Sequence, residues 1–202
     1  MPTSQDLIAN IAIGSLGITT RISGLATDKS NEARQCRLFF DHTRLLTLEA
    51  KRWPYCARRV TLQDLGSPPT GWTYRYKYPS NCVRANYIVN PALRTPGTDL
   101  KIPFEIMDED DGYGKVILCD AADAELDFNF NQEDVSLYSA TMTQAHAMAL
   151  AAFVAPALRV DANIMKAAQQ AWTLWLAEAA NQSFSEKQED PLPESEFVTA
   201  RC

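Results

Sequence analysis

Between Ala33 and Tyr78 the chain changes its hydrophobic period once, and that change commits it to a fold that joins helices to antiparallel strands. In the first half, Ala33, Cys36, Phe39, Phe40, Leu46, Ala50 and Trp53 recur at steps of three and four, the apolar stripe of an amphipathic helix. Arg37, Asp41, Arg44 and Lys51 take the other sides. Ser30 offers an N-cap and Glu32 a carboxylate in the first turn, while Pro54 stops the helix at about Trp53. At about 1.5 Å per residue such a helix runs roughly 35 Å, long enough to be a spine. A shorter helical turn over 55–62 is expected to follow. After the turn cluster at 66–71 the period becomes two: Trp72, Tyr74, Tyr76 and Tyr78 face one way, Thr73, Arg75 and Lys77 the other.

Alternation continues through Val83, Ala85, Tyr87 and Val89. The segments 101–107 and 115–119 flank the acidic Asp108–Gly114 and predict a hairpin. Ala124, Leu126, Phe128 and Phe130 against Glu125, Asp127, Asn129 and Asn131 predict a last strand with one polar face. Residues 72–131 therefore read as one small antiparallel sheet, with an exposed loop at 90–99. Helical spacing marks residues 5–16 upstream (Leu7, Ile8, Ile11) and returns after Asp134. Met142, Ala145, Met148, Ala149 and Ala152 form one stripe up to Pro156. Ile164, Ala168, Ala171, Trp172, Trp175 and Ala179 form the next, behind a cap at Asp161. From Ser183 the chain is polar, charged and proline-containing, the composition of a disordered tail. The expected architecture is α+β: mainly a helical bundle (1–65 and 132–182), an inserted small antiparallel β-sheet subdomain (66–131) and a disordered C-terminal extension (183–202).

Charge and motif spacing exclude several functions. A formal net charge of -6 argues against a surface that grips DNA or RNA, which needs clustered cations. The loose basic group of Arg34, Arg37, Arg44, Lys51, Arg52, Arg58 and Arg59 reads as the solvated face of a helix. The five cysteines (Cys36, Cys56, Cys82, Cys119 and Cys202) are widely spaced without a Cys-x-x-Cys pair, so buried thiols are expected rather than a disulfide or zinc framework. No signal peptide and no membrane span are expected. Of the two histidines, His42 and His146, the second could pair with Cys36 across helices, but no nucleophile signature surrounds any cysteine. Gly14–Gly17 lacks the lysine of a phosphate loop. Read from Asp108 as a calcium loop, the acidic run puts Gly112 at position 5 and Cys119 at position 12, where oxygen ligands belong; a hairpin tip fits better. The aromatic strand 72–78 could stack bases, yet the acidic balance favours a core role. No cofactor and no metal are expected.

One further pattern lies in the order of these pieces. A helix ends in Leu48-Glu-Ala-Lys-Arg-Trp53-Pro-Tyr-Cys-Ala57, followed by Arg58-Arg-Val-Thr-Leu62. Next come Trp72-Thr-Tyr-Arg-Tyr76-Lys-Tyr-Pro79-Ser-Asn-Cys82-Val-Arg84 and Pro103-Phe-Glu-Ile106, then two alanine-rich helices. In order and type of element over residues 5–182 this resembles the tail tubular protein A family, the head-to-tail adaptors of short-tailed phages. The resemblance implies a non-enzymatic virion protein of the neck, assembled in the host cytoplasm as a ring of twelve. Such a ring joins the portal protein to the tail nozzle, and DNA passes through its lumen without specific binding. It also implies that the extension reaches the portal, with Leu192, Phe197, Val198 and Arg201 as the expected contacts. Two alternatives stand beside it: another neck component such as a stopper or tail terminator, and a cytosolic enzyme or small-ligand binder using Cys36 and His146.

Overall fold

The computed structural model describes residues 3–89, 101–109, 112 and 114–185. Helices begin where side-chain oxygens are available to cap them. Ser4 accepts the Leu7 amide at 3.1 Å to open α1 (Gln5–Ser15), and Ser30 accepts that of Ala33 at 3.3 Å to open α2 (Asn31–Ala50). Ser139 accepts the Met142 amide at 3.2 Å ahead of α3 (Ala140–Val154). Asp161 accepts the Asn163 amide at 2.8 Å ahead of α4 (Ala162–Ser185).

Helix α2 stops at Ala50, short of the Trp53 expected from the stripe. Lys51 is fully extended (φ -149, ψ 165), which turns Trp53 back so that its indole N–H donates to the Thr47 carbonyl at 2.8 Å. Pro54 then starts a single 3-10 turn, Pro54–Cys56. The helical turn expected over 55–62 is replaced by strand β1 (Ala57–Thr61), which pairs antiparallel with β6 (Glu125–Phe130). A tertiary partner outweighs local propensity here.

The strands β2 (Tyr74–Lys77), β3 (Cys82–Ile88), β4 (Phe104–Glu109) and β5 (Gly114–Cys119) complete two antiparallel sheets instead of the single one expected. Their orders are β1-β6-β3 and β2-β5-β4. The expected strand over 72–78 contracts to its middle, where Tyr76 is buried and its hydroxyl donates to the Ala121 carbonyl at 2.8 Å. Register shifts in β3 between Cys82 and Arg84, and between Ala85 and Tyr87, break the simple alternation, so Tyr87 and Ile88 are both buried.

Two apolar cores result. One gathers the four helices around α3, whose Ala145, Ala147 and Ala151 leave room for α1, α2 and α4 to approach, with Trp53, Cys56 and Tyr138 closing it. The other lies in the sheets, around Tyr76, Ile88, Ile117, Leu126 and Phe128. The chain is thus α+β. Helix α4 lays Ala168, Trp172, Trp175 and Ala179 against the helical core and continues through Ser185, past the expected boundary at 182. The loop 90–99, part of the acidic tip (Asp110, Asp111, Tyr113) and the extension from residue 186, with Leu192, Phe197, Val198 and Arg201, lie outside the described residues.

Candidate functional site

In the middle of the polar face of β6, Asp127 and Asn129 are buried and form the joint between the two cores, while Glu125 and Asn131 at its ends are half-buried. Asp127, 1% exposed, receives the Arg52 guanidinium through two parallel hydrogen bonds, Nε to Oδ1 and Nη2 to Oδ2, each 2.9 Å. The Arg59 Nε lies 3.5 Å from Oδ2, and the Asn86 amide donates to Oδ1 at 3.1 Å. Two residues on, buried Asn129 donates to the Leu48 carbonyl at 2.6 Å and to that of Lys51. Arg84 donates to the carbonyls of Glu49 at 2.9 Å and Ala50 at 2.7 Å. The last carbonyls of a helix have no partner of their own. In α2 they take donors from β3 and β6, so the helix end is capped by the sheet β1-β6-β3.

Arg34 and Arg37 stay on the exposed side of α2 as expected of a solvated helix face, but Arg44, Arg52, Arg58 and Arg59 do not. Arg44 is buried and donates to the Asn131 side chain at 2.6 Å and the Gln132 carbonyl at 3.1 Å. Arg52 leaves the helix for Asp127, and Arg58 and Arg59 stand on β1. Burial pushes the Asp127 carboxyl up, but the hydrogen bonds and charge of Arg52, helped by Asn86 and Tyr87, outweigh it and hold the group below the usual carboxylate range. The hydrogen bond it donates to Asp127 in turn raises Arg52. A carboxylate locked in its charged form by a bidentate arginine is a structural part, not a proton donor.

The alternative centred on Cys36 and His146 meets a sealed interior. Burial, with a smaller contribution from Glu32, pushes the Cys36 thiol up to about 12, which leaves almost no thiolate near neutral pH. His146 is 0% exposed, with Nε2 at 3.2 Å from both the Phe40 carbonyl and the Thr43 hydroxyl. A carbonyl only accepts, so Nε2 carries the hydrogen and Nδ1 is the bare nitrogen, which finds no partner among the described residues. Burial lowers its pKa to about 4. His42 is exposed and sits edge-on to Phe153 at 5.3 Å. Cys36 and His146 are packed and electrostatically quenched, so the pair offers no poised base or nucleophile.

What remains accessible is surface. Leu38 and Leu174, each 69% exposed, stand on α2 and α4, the two helices that pack on α3 together with α1. Leu45, two turns along the same face of α2 from Leu38, and Ile164 on α4 are also exposed. On the sheet an open groove of about 480 Å³ has Phe128 and Phe130 as its floor, β1 as one wall and the Lys77–Asn81 connection as the other. The Arg58 guanidinium carbon lies over Phe130, 3.4 Å from the ring centroid.

Among the described residues no group of histidine, cysteine or acidic side chains is placed to hold a metal ion. No described helix is long and apolar enough to cross a membrane. No protein-family model and no curated protein matches this chain.

Proposed function

We propose that the protein is a structural connector, a head-to-tail adaptor that forms a ring between a phage portal and its tail. The observation that carries this reading is the pair of well-exposed leucines, Leu38 on α2 and Leu174 on α4, on separate helices about α3. A closed ring of identical subunits needs two different, mutually complementary faces on each copy. Apolar side chains on two elements of one body supply that requirement, whereas an isologous dimer needs only one patch. The helical body with sheets bolted to the end of α2 suits the neck role. The helices meet neighbours and portal, and the sheet side meets the next tail component. A net charge of -6 suits a lumen that lets DNA slide without holding phosphate. The extension, through Leu192, Phe197, Val198 and Arg201, is assigned to the portal in this reading.

Mass photometry of the purified chain, alone and with portal, tests the proposal. A closed ring that docks on portal supports it. A chain that stays monomeric with portal present, or a virion whose neck has no density for it, overturns it.

A further inference from the structure

The sheet groove contrasts with the rest of the molecule. In a chain of net charge -6, its lining contains Arg58, Arg59 and Lys77 and no carboxylate. Arg59 is engaged with Asp127 and Tyr87, but neither Arg58 nor Lys77 has a carboxylate partner among the described residues. Arg58 sits over the Phe130 ring, and Phe128 and Tyr78 add further aromatic surface. A site built from cations on aromatic rings selects a ligand that is both anionic and apolar at close spacing.

One segment of the chain has that composition. Residues 186–202 carry Glu186, Glu189, Asp190, Glu194 and Glu196 against Lys187 and Arg201, with Leu192, Phe197 and Val198 interleaved. The segment leaves the body from the end of α4 at Ser185. Helix α4 folds back along α3 after the turn near Pro156, and with 24 residues against 15 it runs on past the start of α3. The start of α3, at Ala140, follows Phe130 of the groove floor by ten residues. Fully extended chain covers about 3.3–3.6 Å per residue, so the segment reaches tens of ångströms from Ser185.

We infer that the groove formed by Arg58, Phe128, Phe130 and Lys77 is the receptor for the acidic segment 186–202 of this chain, with Glu194 and Glu196 meeting the cations and Phe197 seated on the aromatic floor. This inference stands apart from the adaptor reading and holds whether or not a ring forms. If both are right, a segment in the groove is unavailable to the portal, and release from the sheet precedes docking.

The test uses the full chain with a benzophenone amino acid in place of Phe197, followed by irradiation and peptide mapping. The expected cross-links fall on β1, Phe128, Phe130 or the Lys77–Asn81 connection, within one chain or between two copies, and either supports the inference. Charge reversal in Arg58→Glu with Lys77→Glu lowers the yield about tenfold, and adding Glu194→Lys with Glu196→Lys restores it. That restoration separates lost attraction from a damaged fold. Cross-links confined to the helices, no cross-links at all, or a loss that the second pair of reversals does not restore overturns the inference.

Discussion

Arg52 and Asp127 face each other across the boundary between helix and sheet, joined by two hydrogen bonds of 2.9 Å, with the carboxylate 1% exposed. The pair spans 75 residues of sequence and holds the spine to the middle strand of its sheet. Breaking a buried pair by removing one partner strands the other charge and costs about 3–5 kcal/mol. Asp127→Ala is therefore expected to be far more destabilising than Arg52→Met combined with Asp127→Leu, measured by urea unfolding. Equal losses in the two variants would show that the pair acts through packing volume and not through charge. The sign with pH follows from the lowered carboxyl: the contribution is fully present above the unfolded value near 3.8 and is lost as pH falls below it through the folded value.

His146 supplies a second pH dependence in a different window. Its folded pKa of about 4 lies below the ordinary 6.5, first because of burial and further because of Arg44, with the Phe40 carbonyl and Asp41 opposing. The unfolded chain takes up the proton first as pH falls, so stability is complete above 6.5 and declines between 6.5 and 4. Between pH 7.5 and 5 the loss is about 2 kcal/mol. His146→Met removes the titrating group, and its stability is expected to change by that much less over the same interval. Parallel curves for the two proteins would place the proton elsewhere.

Asn129 and Arg84 act on the end of α2 through its carbonyls. Asn129→Ala leaves the buried Leu48 carbonyl without its side-chain donor, at a cost of roughly 1–3 kcal/mol. Amide exchange in the last turn of α2 should accelerate with it, while α3, whose ladder is untouched, keeps its protection. Arg84→Ala is expected to cost less, about 1 kcal/mol, because water reaches its carbonyls.

How much of this was legible in the residues depends on whether local chemistry or distant partners decided the outcome. The caps at Ser30 and Asp161 and the strands flanking the acidic turn follow from side chains within a few positions of one another. The stripe of α2 holds only in its first half, through Ala33, Cys36 and Phe40; beyond it Thr43, Arg44 and Thr47 take the buried positions in place of Leu46 and Ala50. The alternation in β6 was also readable, but which side faced water was not. Asp127 and Asn129 look solvated until Arg52 and the end of α2 are brought to them by tertiary folding. The sequence carried no sign of this: Arg52 reads as one more residue of a helix running to Trp53, and only the stop at Ala50 frees it for Asp127. Strand β1 was missed because Tyr55–Leu62 has no turn of its own to announce a hairpin; it pairs with a strand more than sixty residues away. Splitting one expected sheet into two follows from the same non-local pairing, since β6 recruits β1 and β3 while β5 keeps β2 and β4.

Ring assembly makes the last prediction, and it separates two-faced from self-complementary association. Leu38→Lys and Leu174→Lys each alter a side chain that is 69% exposed, so both proteins are expected to stay folded, within about 0.5 kcal/mol of the parent. In the connector reading the α2 face of one copy meets the α4 face of the next. Each variant alone then has one good face and one spoiled by a lysine that must be desolvated on contact, and neither assembles. Mixed together, the intact α4 face of Leu38→Lys meets the intact α2 face of Leu174→Lys. The two faces left over are both spoiled, so growth stops at a heterodimer. Mass photometry of the mixture should show that dimer and nothing larger. Rings formed by either variant alone would remove these leucines from the interface, and a mixture that behaves like its separate components would mean the two faces never meet.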